Sequence, residues 1–251
     1  MLYKKLLLLL VAMLMVTLAM GCSSDDEESN INGSGDNQTT LPTQPAAAES
    51  IDDAPIDALV GSGNTYCAMA ATYISMAKGY SSFFTPPSGA AKEYPASFAA
   101  DTTITYTWSD GSITIVMTFE ETSTNYYWSV VFNGTDGEEV YDNFIFAEAQ
   151  QNKTGTDGWM KAYDLSDGLI FDWVWTEDAT GKFTMTISGY ESGVITTEVE
   201  IVLNADGSGY IEFTENDILK LRVTWNATAT SGTYYYFDGS QTLEGTWVYT
   251  G

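Results

Sequence analysis

Thirty-four carboxylates, two cysteines and no histidine set the chemistry open to this 251-residue chain. Without histidine the commonest general base is missing, and with it the Ser-His-Asp triad and nearly all zinc sites. Carboxylates remain for acid–base work. Glu198 and Glu200 share one face of a strand-like run, and Asp172 lies among aromatic residues, a set that could serve carboxylate-based glycoside hydrolysis. Where acidic residues are this common, such neighbours more often make a solvated sheet face than a reactive pair. Asn204-Ala205-Asp206-Gly207-Ser208-Gly209 has the look of a calcium loop but lacks the spaced acidic ligands and the closing glutamate. A hairpin turn accounts for it better. Asn37, Asn133, Asn152 and Asn226 open N-x-Thr triplets, which a chain rich in Asn and Thr supplies freely. No phosphate-binding glycine loop, metal-ligand cluster or nucleophile motif is present, so the sequence predicts no enzyme, no cofactor and no metal.

The amino terminus points to a membrane. Lys4 and Lys5 give a positive start, Leu6 to Met20 is apolar apart from Thr17, and Leu18-Ala19-Met20-Gly21-Cys22 closes the segment. These are the parts of a secretory signal. The apolar run is short for a bilayer span of roughly 20 residues. It leads into Ser23-Ser24-Asp25-Asp26-Glu27-Glu28, not into a basic stop-transfer flank. Leu18 to Cys22 resembles the lipobox of bacterial lipoproteins, in which Gly or Ala precedes an invariant diacylated cysteine. Ala19 stands where that family most often has leucine. The resemblance implies a signal peptide over 1–21, palmitate-type acylation of Cys22 and a lipid anchor whose partner is the membrane. Ser23, not the aspartate that retains many lipoproteins in the inner membrane, follows the cysteine, which implies the bacterial outer membrane. Asp25 to Glu28 is similar to the acidic export tags of surface lipoproteins in the Bacteroidetes; the periplasmic and cell-surface faces both stay open.

The formal net charge is −25, and loss of Lys4 and Lys5 with the leader takes it to −27. Such a chain repels nucleic acid, so no nucleic-acid partner is expected. With Cys22 consumed by lipid, Cys67 has no partner for a disulfide, and its expected role is that of a small buried apolar residue.

The elements that must position any site follow from the pattern. Residues 22–54 are rich in Ser, Asp, Asn, Thr, Pro and Ala and read as a disordered acidic tether, with a reach of roughly 30 Å. From residue 55 to 251 the chain reads as one folded domain. It opens with a helix over Tyr66 to Lys78, capped by Asn64 and ended by Gly79, with Met69, Tyr73, Met76 and Tyr80 at helical spacing. After about Phe98 the period is two: Ile104, Tyr106 and Trp108 alternate with threonines, and Tyr126, Trp128, Val130 and Phe132 repeat the pattern. Turn signals every few residues predict an all-β, antiparallel up-and-down meander of about 12 strands, a barrel or half-barrel. Residues 154–158 align with 228–232, and 173–176 with 247–250, at an offset of 74. This predicts an internal duplication, with copies roughly over 102–168 and 169–251. The polar face carries Glu198, Glu200, Lys220 and Arg222, which does not suit a barrel lying in the bilayer.

A helix followed by a long antiparallel meander resembles, in architecture alone, the half-barrel lipid carriers of the periplasm. Three functions follow, in order. The first is a non-enzymatic envelope lipoprotein that binds an apolar ligand in the barrel, with Tyr73, Trp128 and Trp159 as ligand-binding candidates beside Lys161. The second is a structural or adhesive interaction module with a filled core, using its Thr-rich outer face against envelope protein or glycan. The third is the carboxylate-based hydrolase.

Overall fold

The computed structural model describes residues 45, 51, 53–79, 83–93 and 102–251, all within one unit, Leu41–Gly251. The leader, Cys22, nearly all of the tether and Tyr80 lie outside the described residues.

Two helices precede the sheet, where the sequence predicts one. Helix α1, Ala54–Gly61, begins where the tether was expected to end, with Pro55 in its first turn, the helical position that tolerates a missing N–H. Helix α2, Thr65–Gly79, is the predicted one. The amides of Tyr66 and Cys67 donate to Asn64 Oδ1 at 2.9 and 3.2 Å, so Asn64 is the cap. Its buried stripe is Cys67, Ala70, Ala71, Ile74 and Ala77, while Met69, Tyr73 and Met76 flank that stripe half-buried. Small residues at the contact let the helix lie close to the sheet.

Thirteen strands form one antiparallel sheet in sequence order. They are β1 Ala91–Glu93, β2 Thr102–Asp110, β3 Ile113–Glu121, β4 Asn125–Asp136, β5 Glu139–Asn152, β6 Asp157–Asp164 and β7 Gly168–Glu177. Then follow β8 Phe183–Glu191, β9 Val194–Leu203, β10 Gly209–Glu215, β11 Ile218–Trp225, β12 Ser231–Phe237 and β13 Thr242–Val248. The outermost strands β1 and β13 do not pair with each other, so the sheet is open.

One face is the core. Met117, Phe119, Trp128, Val130, Met160, Trp173, Trp175, Met185, Ile201, Ile211, Leu221, Val223, Trp225 and Trp247 are all buried on it. The strand period of two sends the residues between them to the outer face. Three glycines sit directly opposite tryptophans: Gly158 faces Trp175, Gly209 faces Trp225 and Gly232 faces Trp247. A Cβ at any of them would run into the facing indole. The absent side chain is the space the ring occupies, an arrangement that rescues a glycine in a strand.

The hairpins β6–β7 and β12–β13 keep the offset of 74 in their first strands, while Trp175 and Trp247, opposite equivalent glycines, stand 72 apart; both are entered through equivalent turns. Thr154 Oγ1 donates to Asn152 Oδ1 at 3.0 Å and Thr228 Oγ1 to Asn226 Oδ1 at 3.3 Å. The amides of Gly155 and Ala229, both at positive φ (76° and 53°), donate to the carbonyls of Asn152 and Asn226. At the other end, Ser166 and Ser240 bond back to Asp164 and Asp238 through both N–H and Oγ–H.

Candidate functional site

A ligand chamber would lie on the inner face of the sheet. α2 packs against β11 and β12. Tyr66 stacks on Tyr234 and Tyr236 with centroids 5.1 and 4.7 Å apart, and Tyr73 stacks on Phe213 at 5.1 Å. Toward the other side of the sheet, Phe84 lies 6.4 Å from Trp128, which also meets Phe119 at 5.5 Å and Tyr126 at 6.1 Å. Ile51, Leu59, Ile74, Phe84 and Trp128 are each 2% exposed or less. Trp128 Nε1 is buried with no hydrogen-bond partner among the described residues, an arrangement that costs about 1–3 kcal/mol in a dry site. Cys67 is fully buried on α2, and burial pushes its thiol up from the usual value, against a smaller opposing effect of the hydrogen bond with Ser62.

Trp159 lies on the face of the sheet opposite Tyr73 and Trp128. Tyr73 stands over β10 and Trp128 lies in β4. Trp159 lies between Gly158 and buried Met160, pairs with Gln150 and Val174, and so stands on the outer face. There the Lys161 ammonium lies 4.7 Å from its ring centroid, a cation–π contact. The β6 run has apolar residues at both parities, Trp159 and Tyr163 on one and Met160 and Ala162 on the other, so its pattern alone does not choose the inward side.

The outer face is polar and ordered. One row crosses from Thr118 through Ser129, Glu148, Lys161, Asp172, Ser188 and Glu198 to Thr214. Three tyrosines reach back across a strand pair to carboxylates. Tyr163 donates to Glu148 at 2.5 Å, Tyr190 to Asp172 at 3.1 Å and Tyr210 to Glu200 at 2.6 Å. Burial and the accepting carboxylate hold all three phenols up, Tyr210 to about 12. These bonds were not foreseen from sequence; the only signal was a tyrosine at outward parity one strand from an acid. Asp172 and Glu198 therefore sit in this row of cross-strand partners on an open sheet face, Glu200 sits in the next row between Thr186 and Glu212, and Arg222 pairs with Glu212.

Two hollows among the described residues are open grooves. One, of about 650 Å³, lies between β5 and the tip of the β6–β7 hairpin. The other, of about 680 Å³, lies where β11 and β12 pair over only three residues, and is lined by Arg222, Tyr234, Tyr235 and Glu244. Among the described residues no group of three or more Cys, Asp or Glu is placed to hold a metal. The Asp206 loop is closed by its own bonds, with Ser208 N–H and Oγ–H donating to Asp206 Oδ1 at 2.9 and 2.6 Å. Asn152 and Asn226 cap the turns that follow them, and Asn133 accepts the Asn143 amide at 2.8 Å. No helix among the described residues is long and apolar enough to cross a membrane. No protein-family model matches the chain, and no curated protein matches it.

Proposed function

We propose that this chain is an envelope lipoprotein, held at the bacterial outer membrane by lipid on Cys22, whose folded part is a non-enzymatic interaction module. The observation that carries this reading is the burial of side chains that precede the sheet in the chain. Where a carrier would leave apolar side chains facing a chamber, Ile51, Leu59, Ile74 and Phe84 are at 2% exposure or less. Both hollows open to solvent instead. A small-molecule site normally encloses most of its ligand's surface, and neither groove does so. The surface left for function is the outer face and its edges, rich in threonine hydroxyls, carboxylates and half-exposed aromatics such as Trp159, groups that suit contact with protein or glycan.

A polarity-sensitive fluorescent fatty acid, titrated into the anchor-free chain from Ser23 to Gly251, tests it. The expected result is no saturable rise in emission. A saturable, stoichiometric rise that an unlabelled phospholipid displaces would overturn the filled-core reading and restore lipid carriage.

A further inference from the structure

The β6–β7 hairpin stops short of the β4–β5 hairpin beside it. β5 runs for 14 residues and stays paired with β4 out to Glu139, but β6 pairs only with Ala147 to Gln151. Along residues 139–146 the side of β5 turned toward β6 has no strand partner among the described residues. The 650 Å³ groove runs beside this free edge. Its walls carry Val140, Ile145 and Leu165, which are 62%, 45% and 43% exposed.

The bulge at Asn143 (φ 51°) explains why two aliphatics five residues apart share the groove. Val140 pairs with Thr135 and Ile145 with Val131, both on the outer side, whereas Phe144 pairs with Phe132 on the inner side. The projecting hairpin is held in shape from within. Phe132 stacks on Phe146 at 4.7 Å, Phe83 meets Phe146 edge-on at 5.5 Å, and Tyr141 donates to Glu139 at 2.6 Å. A free strand edge beside side-chain pockets is the geometry of strand addition, in which main-chain bonds give affinity and alternate side chains give specificity.

The charge of the groove selects the occupant. Asp142 and Asp164 line it, no lysine or arginine lines it among the described residues, and exposed Glu139 precedes the lining residue Val140 in the chain. A second copy of this chain would bring those carboxylates against their own kind, on a molecule already at −25. We propose that the β5 edge docks an extended segment of a partner protein, apolar at alternate residues and basic between them. This rests on the interaction reading above and names its surface.

The test uses the full chain and two labelled heptapeptides of the same composition, one alternating Lys and Val, the other with the two residue types in blocks. At physiological salt the alternating peptide is expected to bind about tenfold more tightly than the blocked one. It should also slow amide exchange at residues 139–146. Ile145→Asp and Leu165→Asp change exposed side chains, so the fold should persist with an unchanged melting temperature, while the tenfold preference is lost. Equal affinity for the two peptides, or protection elsewhere on the sheet, would overturn the proposal. The filled-core reading fails by a separate signal, uptake of fatty acid, so the two failures are distinguishable.

Discussion

The β6–β7 and β12–β13 hairpins are nearly the same object in two settings. Each is entered through an Asn-x-Thr-x-Thr turn, carries a glycine under a facing tryptophan and turns on an Asp-x-Ser cap. The first lies inside the sheet with strands on both sides, and the second ends it. The contrast separates the stability a strand draws from its own hairpin from the stability it draws from its neighbours. Equivalent substitutions in the two should separate the contributions.

The largest effect is expected at the tryptophans. Trp175→Ala and Trp247→Ala each remove a buried ring, for which costs of about 3–5 kcal/mol are typical. Trp175 is walled by β6 and β8, so its loss belongs near the top of that range; Trp247 lies on the edge strand and belongs near the bottom. Urea unfolding of both variants measures the gap, and equal losses would mean that the sheet's end is as rigid as its middle.

Next come the glycines. A methyl at position 158 meets Trp175 and the Gln150 carbonyl, and one at position 232 meets the Thr224 carbonyl and Trp247. Gly158→Ala should cost about 2–3 kcal/mol, because strands on both sides hold it. Gly232→Ala should cost about 1 kcal/mol, since the edge hairpin can shift. The same unfolding series reads both.

Among the aligned positions at which the hairpins differ, one sets Tyr163 opposite Phe237 in the repeat. Tyr163→Phe removes the hydrogen bond to Glu148 and should cost about 1 kcal/mol at neutral pH, the site being only partly shielded from water. Burial and then Glu148 raise the Tyr163 phenol above the usual value of 10. Its contribution is therefore complete below pH 10 and lost as pH climbs through the raised value. The variant's stability should accordingly fall less steeply than the parent's in alkaline melts.

The smallest effect is at the cap of the second hairpin. Backbone and hydroxyl donors from Gln241 and Ser240 hold the Asp238 carboxyl far below its usual 3.8. A lowered carboxylate stabilises the fold above that usual value, and the stability is lost as pH falls through the lowered one. Asp238→Asn should flatten the acid limb of stability against pH and lower neutral stability slightly, since the amide oxygen accepts the same hydrogen bonds without the charge. Melts from neutral pH down into that acid limb check it.

Much of this architecture was readable from residue order, because a strand with one buried face writes its parity into the chain. The alternation from Ile104 onward, the Asn64 cap and the Gly-containing turns all act locally and could be read locally. Helix α1 was not read, since eight residues beginning Ala54-Pro55 are too few for a periodic stripe. The side of the sheet that Trp159 takes, the tyrosine–carboxylate bonds and the unpaired stretch of β5 depend on register between strands. The length of β5 against β6 shows only when the two are laid side by side.

Native mass spectrometry of the protein extracted from the bacterial envelope checks the proposal of a lipid-anchored chain with no ligand in its core. The predicted spectrum shows a polypeptide beginning at Cys22, carrying covalent acyl chains on that residue, with nothing else that leaves on denaturation. A stoichiometric lipid mass lost on denaturation would contradict the filled core, and an unmodified Cys22 or an uncleaved leader would contradict the anchor.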